Sequence, residues 1–321
     1  MSVKKMILDV DTGVDDAMAI TYAIADPNVE LIGVLSSYGN IEANRAAVNA
    51  LRVLHLLHAD QVPVFIGNTD PVDHKYQRID INAQIHGENG IGDVDLEPAT
   101  HDFESQNGVD FMIEAAEKYG KDLTIVATGP MTNIAAAIKK NHDVMKQVNN
   151  ITIMGGALTV PGNVTPVAEA NIEQDPVAAN EMFTSDLNIN MVGLDVTLRT
   201  LLTKAETKQW RATNTEAGQK MADIVDYYID VYADIYPELG GCSLHDPLAV
   251  GVAIDPSFVT MLHLNIMVTT EHDAYYARTI ADKARLNDPD TNVNVAVNVD
   301  KERYLQEFMN LFLNLFNNLN K

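Results

Sequence analysis

Met6-Ile-Leu-Asp-Val-Asp-Thr-Gly-Val-Asp-Asp16 delivers four aspartates within eight positions, at the end of a short apolar run. The apolar run predicts a buried strand, Thr12-Gly13 interrupts it, and residues 15–25 predict a helix. The aspartates therefore lie where ligands bind in an open α/β sheet, at the carboxyl end of a strand and the first turn of a helix. Because clustered carboxylates repel one another, they need a hard cation or hydrogen-bond donors, and oxygen ligands favour calcium or magnesium.

Three other interpretations of this stretch are weaker. An EF-hand loop starting at Asp9 would require Gly and Glu at the positions that Val14 and Ile20 occupy. A phosphatase of the haloacid-dehalogenase type, with Asp9 as its nucleophile, would require Thr or Val where Gly13 stands. A capped helix with surplus acidic residues is the third interpretation, and it assigns no function to the cluster.

Composition limits the compartment and the partners. A chain of 321 residues with 46% apolar content can bury a substantial core. Its net charge of -23 disfavours nucleic acid and anionic membranes, so we expect a small-molecule partner. Cys242 is the only cysteine, which predicts a reducing, cytoplasmic location. The amino-terminal apolar run is only as long as a strand and predicts neither a signal peptide nor a membrane span.

Strands and helices alternate along the chain. Predicted strands cover residues 6–10, 29–36, 63–66, 122–127, 151–154 and 189–194, and predicted helices cover 15–25, 43–57, 108–119, 134–140, 175–183 and 203–236. This alternation predicts a single α/β domain over residues 1–321, with a mainly parallel sheet flanked by helices and a site at the carboxyl ends of the strands.

Three further segments complete the prediction. Residues 67–107 are predicted to be irregular, and so long a loop in a compact domain is usually functional. Residues 262–299 predict strands and turns. An apolar stripe of helical period between Tyr304 and Leu319 predicts a helix that packs on the domain or on a partner subunit.

Polar side chains follow each predicted strand. Because the carboxyl ends of parallel strands meet at one edge, we expect these side chains to converge. They are Asn40 after the second strand, Thr128 and Met154 after later ones, Asn163, Glu169 and Asn171 in a Pro- and Gly-containing loop, and His245-Asp246 before an apolar helix.

Together these motifs resemble the inosine-uridine-preferring nucleoside hydrolase family. The opening stretch matches the family's DxDxGxDD signature, and residues 128–133, 154–156, 162–171 and 245–249 match later motifs in the family's order. The resemblance covers residues 7–253. Thr12 replaces the usual Pro, and Ala170 stands where some members place an aromatic residue against the base, which leaves the preferred base open.

The resemblance implies a calcium site and a pair of catalytic residues. The ligands would be Asp11, Asp16, the backbone carbonyl of Thr128, and Asp246. Carboxylate and carbonyl oxygens in a flexible shell suit calcium better than magnesium. Asp11 would also take a proton from the attacking water, and His245 would protonate the leaving base.

The remaining predicted residues would contact the substrate. Amides and carboxylates complement a vicinal diol, because hydroxyl groups both donate and accept hydrogen bonds. Ribose hydroxyls would be bound by Asp15, Asn40, Asn163, Glu169 and Asn171, with the Met154 backbone nearby, and the base would contact His86, Tyr228 and Tyr232.

The implied activity is calcium-dependent hydrolysis of the N-glycosidic bond of ribonucleosides to ribose and free base, for nucleoside salvage. We expect a homo-oligomer, either a dimer or a tetramer. The alternatives are a non-catalytic ribose- or nucleoside-binding protein and the phosphatase considered above. Binding alone would not require Asp11 and His245, and a phosphatase would need a basic clamp near the acidic residues.

Overall fold

The computed structural model describes residues 3–319, and this part of the chain forms thirteen strands and twelve α-helices. The strands are β1 (Lys4–Val10), β2 (Val29–Ser36), β3 (Val64–Ile66), β4 (Glu104–Asn107), β5 (Leu123–Ala127), β6 (Asn150–Met154), β7 (Ile189–Val192), β8 (Leu201–Leu202), β9 (Cys242–Ser243), β10 (Val259–Leu264), β11 (Ile266–Val268), β12 (Thr279–Ala281) and β13 (Val293–Val299). The helices are α1 (Val14–Ala25), α2 (Ala43–Leu56), α3 (Asp80–His86), α4 (Gly108–Tyr119), α5 (Thr132–Met145), α6 (Ala170–Gln174), α7 (Pro176–Thr184), α8 (Leu194–Thr197), α9 (Lys204–Arg211), α10 (Glu216–Ile235), α11 (His245–Ile254) and α12 (Lys301–Asn318).

Nine strands form one sheet in the order β10-β13-β7-β6-β5-β1-β2-β3-β4. Neighbouring strands are parallel except for β10, which runs antiparallel to β13. In this register Asp9 of β1 lies opposite Leu35 of β2 and Ala127 of β5. The loops that follow these strands therefore meet at the same edge. The predicted fold class, a single α/β domain with a mainly parallel sheet, is confirmed.

The sheet is buried on both faces, which explains the continuous apolar runs of its central strands. Successive side chains of a strand point to opposite faces. Accordingly, Met6 and Leu8 of β1 belong to one core cluster, with residues from α1, α2, α10, α11 and α12. Ile7 belongs to the other cluster, with residues from α4, α5 and α7. Packing of both clusters against β1 fixes the position of the aspartates that follow this strand.

Several boundaries differ from those predicted. Residues 67–107, predicted to be irregular, contain α3 and β4, and β4 pairs with β3 at the edge of the sheet. The predicted strand 189–194 ends at Val192, because Leu194 begins α8. The predicted helix 203–236 is two helices, separated near Asn214, whose φ of 54° lies in the left-handed region.

The carboxyl-terminal apolar stripe packs on its own domain in the described part of the chain. The rings of Phe308, Phe312 and Phe316 of α12 surround Trp210, with centroids 6.1, 5.2 and 6.0 Å from the Trp210 ring. These four side chains are fully buried. Within residues 3–319, no helix is both long and apolar enough to cross a membrane.

Candidate active site

The turn between β1 and α1 concentrates the acidic side chains. Asp11 and Asp16 are fully buried, and Asp15 is 6% exposed. The backbone N–H of Gly13 donates to Asp16 Oδ2 at 2.8 Å. A Cβ atom on Gly13 would lie 2.6 Å from both Asn40 Nδ2 and His86 Nδ1, so only glycine allows these segments to approach so closely.

Three of the carboxylates lie close enough together to share a metal ion. Oxygens of Asp15, Asp16 and Asp246 all lie within 4.8 Å of one another. Asp11 Oδ2 accepts the Asn40 N–H at 2.7 Å, and the charge of the neighbouring Asp16 acts on Asp11. The Oδ1 atoms of Asp11 and Asp15 are buried and have no hydrogen-bond partner in the described part of the chain.

Burial and mutual repulsion shift the pKa values of this cluster upward. Burial, followed by the charge of Asp16, raises the pKa of Asp15 to about 7. The pKa values of Asp11 and Asp246 are raised well above the usual range, first by burial and then by neighbouring carboxylates. A divalent cation fits this donor set, because it would compensate the buried charge and coordinate oxygens that lack partners.

The predicted metal ligands occupy two layers. Asp11 and Asp16 lie beneath the cavity described below, whereas Asp246 and Thr128 line it. Thr128 Oγ1 donates to Asp16 Oδ1 at 2.7 Å, and the Thr128 carbonyl accepts from Asn171 Nδ2 at 2.7 Å. The three-carboxylate group includes Asp15, which the sequence assigned to ribose, and does not include Asp11. The assignment of individual ligands stays a prediction.

A cavity of about 170 Å³ lies above this cluster, at the carboxyl ends of the strands. All nine residues predicted to bind substrate line it, together with the candidate acid His245. These nine residues are Asp15, Asn40, His86, Met154, Asn163, Glu169, Asn171, Tyr228 and Tyr232. The structure thus brings together residues from seven separate segments of sequence.

Amide and carboxylate groups form one wall of the cavity. Glu169 is 2% exposed and caps α6, since its carboxylate accepts the backbone N–H groups of Gly156, Asn171 and Ile172 at 2.9–3.2 Å. Asn171 Nδ2 also donates to the Met154 carbonyl at 3.1 Å. These contacts hold both side chains in place before any ligand binds.

Two more amides lie at the margins of this wall. Asn40 Nδ2 donates to Asp16 Oδ2 at 3.2 Å, so this side chain is oriented by the acidic cluster. Asn163 is exposed at the rim, and its Oδ1 accepts the Ala170 N–H at 3.0 Å. The amide wall therefore runs from the buried cluster to the cavity mouth.

Aromatic and histidine side chains form the opposite wall. Tyr228, Tyr232 and Tyr236 follow one another along α10, with successive ring centroids 4.7 and 5.5 Å apart. His86 lies against Tyr228 at 5.6 Å, and its Nδ1 accepts the Val14 N–H at 3.2 Å. Burial lowers the pKa of His86 to about 3, so its ring is neutral near pH 7.

His245 is buried between two hydroxyl groups. Its Nε2 is 2.7 Å from the Tyr232 hydroxyl, and its Nδ1 is 2.8 Å from Thr197 Oγ1. Burial lowers the pKa of His245 to about 4. The ring is therefore uncharged near pH 7, and Tyr232 links it to the cavity.

Sequence reasoning missed several lining residues. Leu198 directly follows α8 and Ile235 ends α10, and both are apolar residues that resemble ordinary core positions in a sequence. Asn82 lies in the segment predicted to be irregular, and it donates to the Gly39 carbonyl at 2.8 Å. The only sequence signal for Asn82 was its position four residues before His86, which places the two side chains on the same face of a helix.

A larger cavity of about 750 Å³ adjoins the first and shares Asn82, Val164 and Ala170 with it. Its other lining residues include Tyr76, Tyr276 and residues of the 71–79 segment. Within residues 3–319, this lining contains no member of the aspartate cluster. The chemistry is therefore concentrated in the smaller cavity.

The fold and cavity define an α/β protein with a polar, aromatic-walled cavity above buried carboxylates. The chain belongs to the inosine-uridine preferring nucleoside hydrolase family, whose sequence model matches residues 6–306. Members of this family are metal-dependent N-glycosidases. The family resemblance predicted from the motifs is confirmed.

Relatives with different base preferences resemble this chain. A purine-preferring ribonucleoside hydrolase from Gardnerella vaginalis is 50% identical, with a TM-score of 0.96 over 98% of this chain and 99% of that one. A probable uridine nucleosidase 2 of Arabidopsis thaliana is 36% identical over 80% of this chain and 79% of its own length. The pyrimidine-specific ribonucleoside hydrolase RihB of Escherichia coli (strain SE11) is 32% identical over 94% of this chain and 95% of its own.

Proposed function

We propose that this protein is a calcium-dependent hydrolase that cleaves the N-glycosidic bond of ribonucleosides to give ribose and free base. The observation that carries the proposal is the cavity above the aspartate cluster, which has preorganised amides on one wall and a tyrosine–histidine pair on the other. The first wall suits a ribose diol, and the second suits a planar base.

Asp11, Asp16, the Thr128 carbonyl and Asp246 would hold the calcium ion. The close approach of buried carboxylates, whose mutual repulsion raises the pKa values of Asp11 and Asp246, supports this assignment. When bound, calcium supplies positive charge that compensates the cluster and polarises water and hydroxyl groups beside it.

Asp11 is the proposed general base, which takes a proton from the attacking water. Its Oδ2 is fixed by the Asn40 N–H, while Oδ1 has no protein partner in the described part of the chain. A carboxylate with one fixed and one unpartnered oxygen can accept a proton without losing its orientation.

The amide wall would bind the sugar, and the carboxylates would stabilise the transition state. Cleavage of an N-glycosidic bond develops positive charge on the ribosyl ring, and preorganised carboxylates favour that charge electrostatically. Asp15, Asn40, Asn163, Glu169 and Asn171, with the Met154 backbone, are the proposed ribose contacts.

His245 would assist the departure of the base indirectly, through its hydrogen bond to the Tyr232 hydroxyl. Because burial keeps the His245 ring neutral near pH 7, a charged imidazolium is not the proton donor at that pH. The Tyr232 hydroxyl lies 2.7 Å from His245 Nε2 and lines the cavity, so it can donate to a base nitrogen. His86 and Tyr228 would contact the face of the base.

Purine ribonucleosides are the proposed preferred substrates. Support comes from the 50% identity to a purine-preferring enzyme and from the three successive tyrosines of α10, which offer an aromatic surface to a base. We further propose a salvage role in the cytoplasm for a homo-oligomer, a dimer or tetramer, built from one domain over residues 1–321. The single cysteine and the charge of -23 support the compartment and the small-molecule substrate.

A panel assay tests this proposal. Purified protein with calcium is incubated with inosine, adenosine, uridine and cytidine, and free ribose is measured. We expect ribose release, fastest from inosine or adenosine. Binding of these nucleosides without ribose release would favour the non-catalytic alternative instead. The family assignment leaves the phosphatase alternative without support.

A further inference from the structure

His245 contacts a second hydroxyl group to which the mechanism above gives no role. Thr197 Oγ1 lies 2.8 Å from His245 Nδ1, on the ring atom opposite the one that meets Tyr232. Thr197 ends the short helix α8 and is fully buried. Among residues 3–319, the lining of the smaller cavity includes Tyr232 but not Thr197. Thr197 can therefore act on a substrate only through His245.

The contacts of Thr197 decide which ring nitrogen carries hydrogen. A neutral imidazole has one N–H donor and one acceptor nitrogen, and its partners select between the two tautomers. If Nδ1 carried the hydrogen, the Thr197 hydroxyl would need another acceptor. Within residues 3–319, His245 is the only hydrogen-bond partner of Thr197 Oγ1. A buried hydroxyl without an acceptor is unfavourable, so Thr197 donates to Nδ1 and Nε2 carries the hydrogen.

The same direction of hydrogen-bond donation continues from His245 toward the cavity. The Nε2–H group donates to the Tyr232 oxygen, 2.7 Å away, so the hydroxyl hydrogen of Tyr232 is not used by the ring. The Tyr228 hydroxyl lies 3.4 Å from both the Tyr232 hydroxyl and Asp15 Oδ2, and Tyr228 is the donor in both contacts. Tyr228 therefore donates to Asp15, and the hydrogen of Tyr232 can point at a ligand in the cavity. The opposite tautomer would turn that hydrogen back toward His245.

We propose that Thr197 is a positioning residue that fixes the Nε2–H tautomer of His245 and so directs the Tyr232 hydroxyl hydrogen toward the leaving base. The proposal rests on the function proposed above and adds a residue to it. It concerns the direction of hydrogen bonds and requires no additional reactant. The same kind of support is common for catalytic and metal-binding histidines, whose second ring nitrogen is held by a neighbouring group.

The tautomer can be measured without any assay of activity. In protein labelled with ¹⁵N-histidine and loaded with calcium, long-range ¹H–¹⁵N spectra distinguish protonated from unprotonated ring nitrogens, and His245→Gln assigns the signal. We expect a protonated Nε2 and an unprotonated Nδ1. Thr197→Val should weaken this preference, and Thr197→Ser should keep it. A protonated Nδ1 in the unmodified protein would overturn the proposal.

Kinetics test the consequence for the leaving base. A nitrophenyl riboside needs little proton donation to its leaving group, whereas inosine needs more. Thr197→Val should lower kcat on inosine by about tenfold to a hundredfold with KM nearly unchanged, and should lower kcat on the nitrophenyl riboside by less than about threefold. Thr197→Ser should restore most of the activity on inosine. Equal losses on both substrates would mean that Thr197 only supports the fold.

Thr200→Val is the matched control. Thr200 is also buried, and its hydroxyl donates to the Thr197 carbonyl without touching His245. This variant reports the cost of removing a nearby hydroxyl, and we expect no difference between its effects on the two substrates. If the unmodified protein releases no ribose from any nucleoside, the proposed function fails, while the spectra still decide the tautomer.

Discussion

Asp11 is the residue on which the proposed chemistry depends most. Asp11→Asn retains an oxygen that can face a cation but cannot take a proton near neutral pH. We therefore expect ribose release from inosine to fall by about two or more orders of magnitude. Inosine binding, measured by calorimetry with the variant, should change much less. Turnover close to that of the unmodified protein would remove Asp11 from the role of base.

Asp175→Asn is a suitable control for Asp11→Asn. Asp175 is also a buried carboxylate, but it caps α7 and accepts the Thr132 hydroxyl at 2.7 Å. Its loss should lower the melting temperature and leave a larger share of turnover than Asp11→Asn does.

Discrimination against deoxynucleosides tests the amide wall. Asp15, Glu169 and Asn171 are held in place by the protein, so a missing ribose hydroxyl would leave buried polar groups unpaired. We expect kcat/KM for inosine to exceed that for 2′-deoxyinosine by about three or more orders of magnitude. Similar values for the two substrates would mean that the 2′-hydroxyl is not bound as proposed.

At the scale of helices and strands, much of the site could be predicted because each strand end carries a local signal. The apolar run before Asp9 and the Gly-Pro turn after Thr128 mark the end of a buried strand in the sequence itself. β4 has no such signal, because its residues Glu104–Asn107 are polar and lie on the sheet edge. Thr197 also has no local sequence signal, because its proposed role depends on a contact with His245, which lies 48 positions away in the sequence.

Helix α12 should contribute strongly to stability through its contacts with α9. Phe312 is fully buried, and its ring lies 5.2 Å from Trp210. Removing such a ring leaves a cavity, so Phe312→Ala should lower the free energy of unfolding by about 3–5 kcal/mol. Urea denaturation measures this change. The exposed Asn314, on the same helix, provides the control variant Asn314→Ala, for which we expect a change within about 0.5 kcal/mol.

For the whole molecule, the aspartate cluster predicts how stability depends on pH and calcium. Without metal, burial raises the folded-state pKa values of Asp9 and Asp15 from 3.8 to about 7. The folded state then binds more protons than the unfolded state between these values, so stability falls as pH rises through this window. The melting temperature of chelator-treated protein should therefore be lower at pH 8 than at pH 5.

Calcium should reverse most of this loss. A ligand that binds the folded state alone raises the melting temperature, and it favours the ionised carboxylates. Added calcium should therefore stabilise the protein more at pH 8 than at pH 5, as scanning calorimetry can measure. Asp15→Asn, which removes one of the shifted groups, should reduce the pH dependence of the metal-free protein. A melting temperature insensitive to calcium at both pH values would contradict the proposed cation site.

The position of Asp11 and Asp16 beneath the cavity floor also sets an order of events. Asp11 and Asp16 are buried behind residues that line the cavity, so we expect a cation to bind before the sugar fills the cavity and the bound sugar to slow release of the cation. Inactivation by a chelator should accordingly slow when ribose is present at saturating concentration. In a cell, such an enzyme would lose its cation mainly in the intervals when the cavity is empty. A steady supply of nucleoside would therefore help the enzyme to retain its cation.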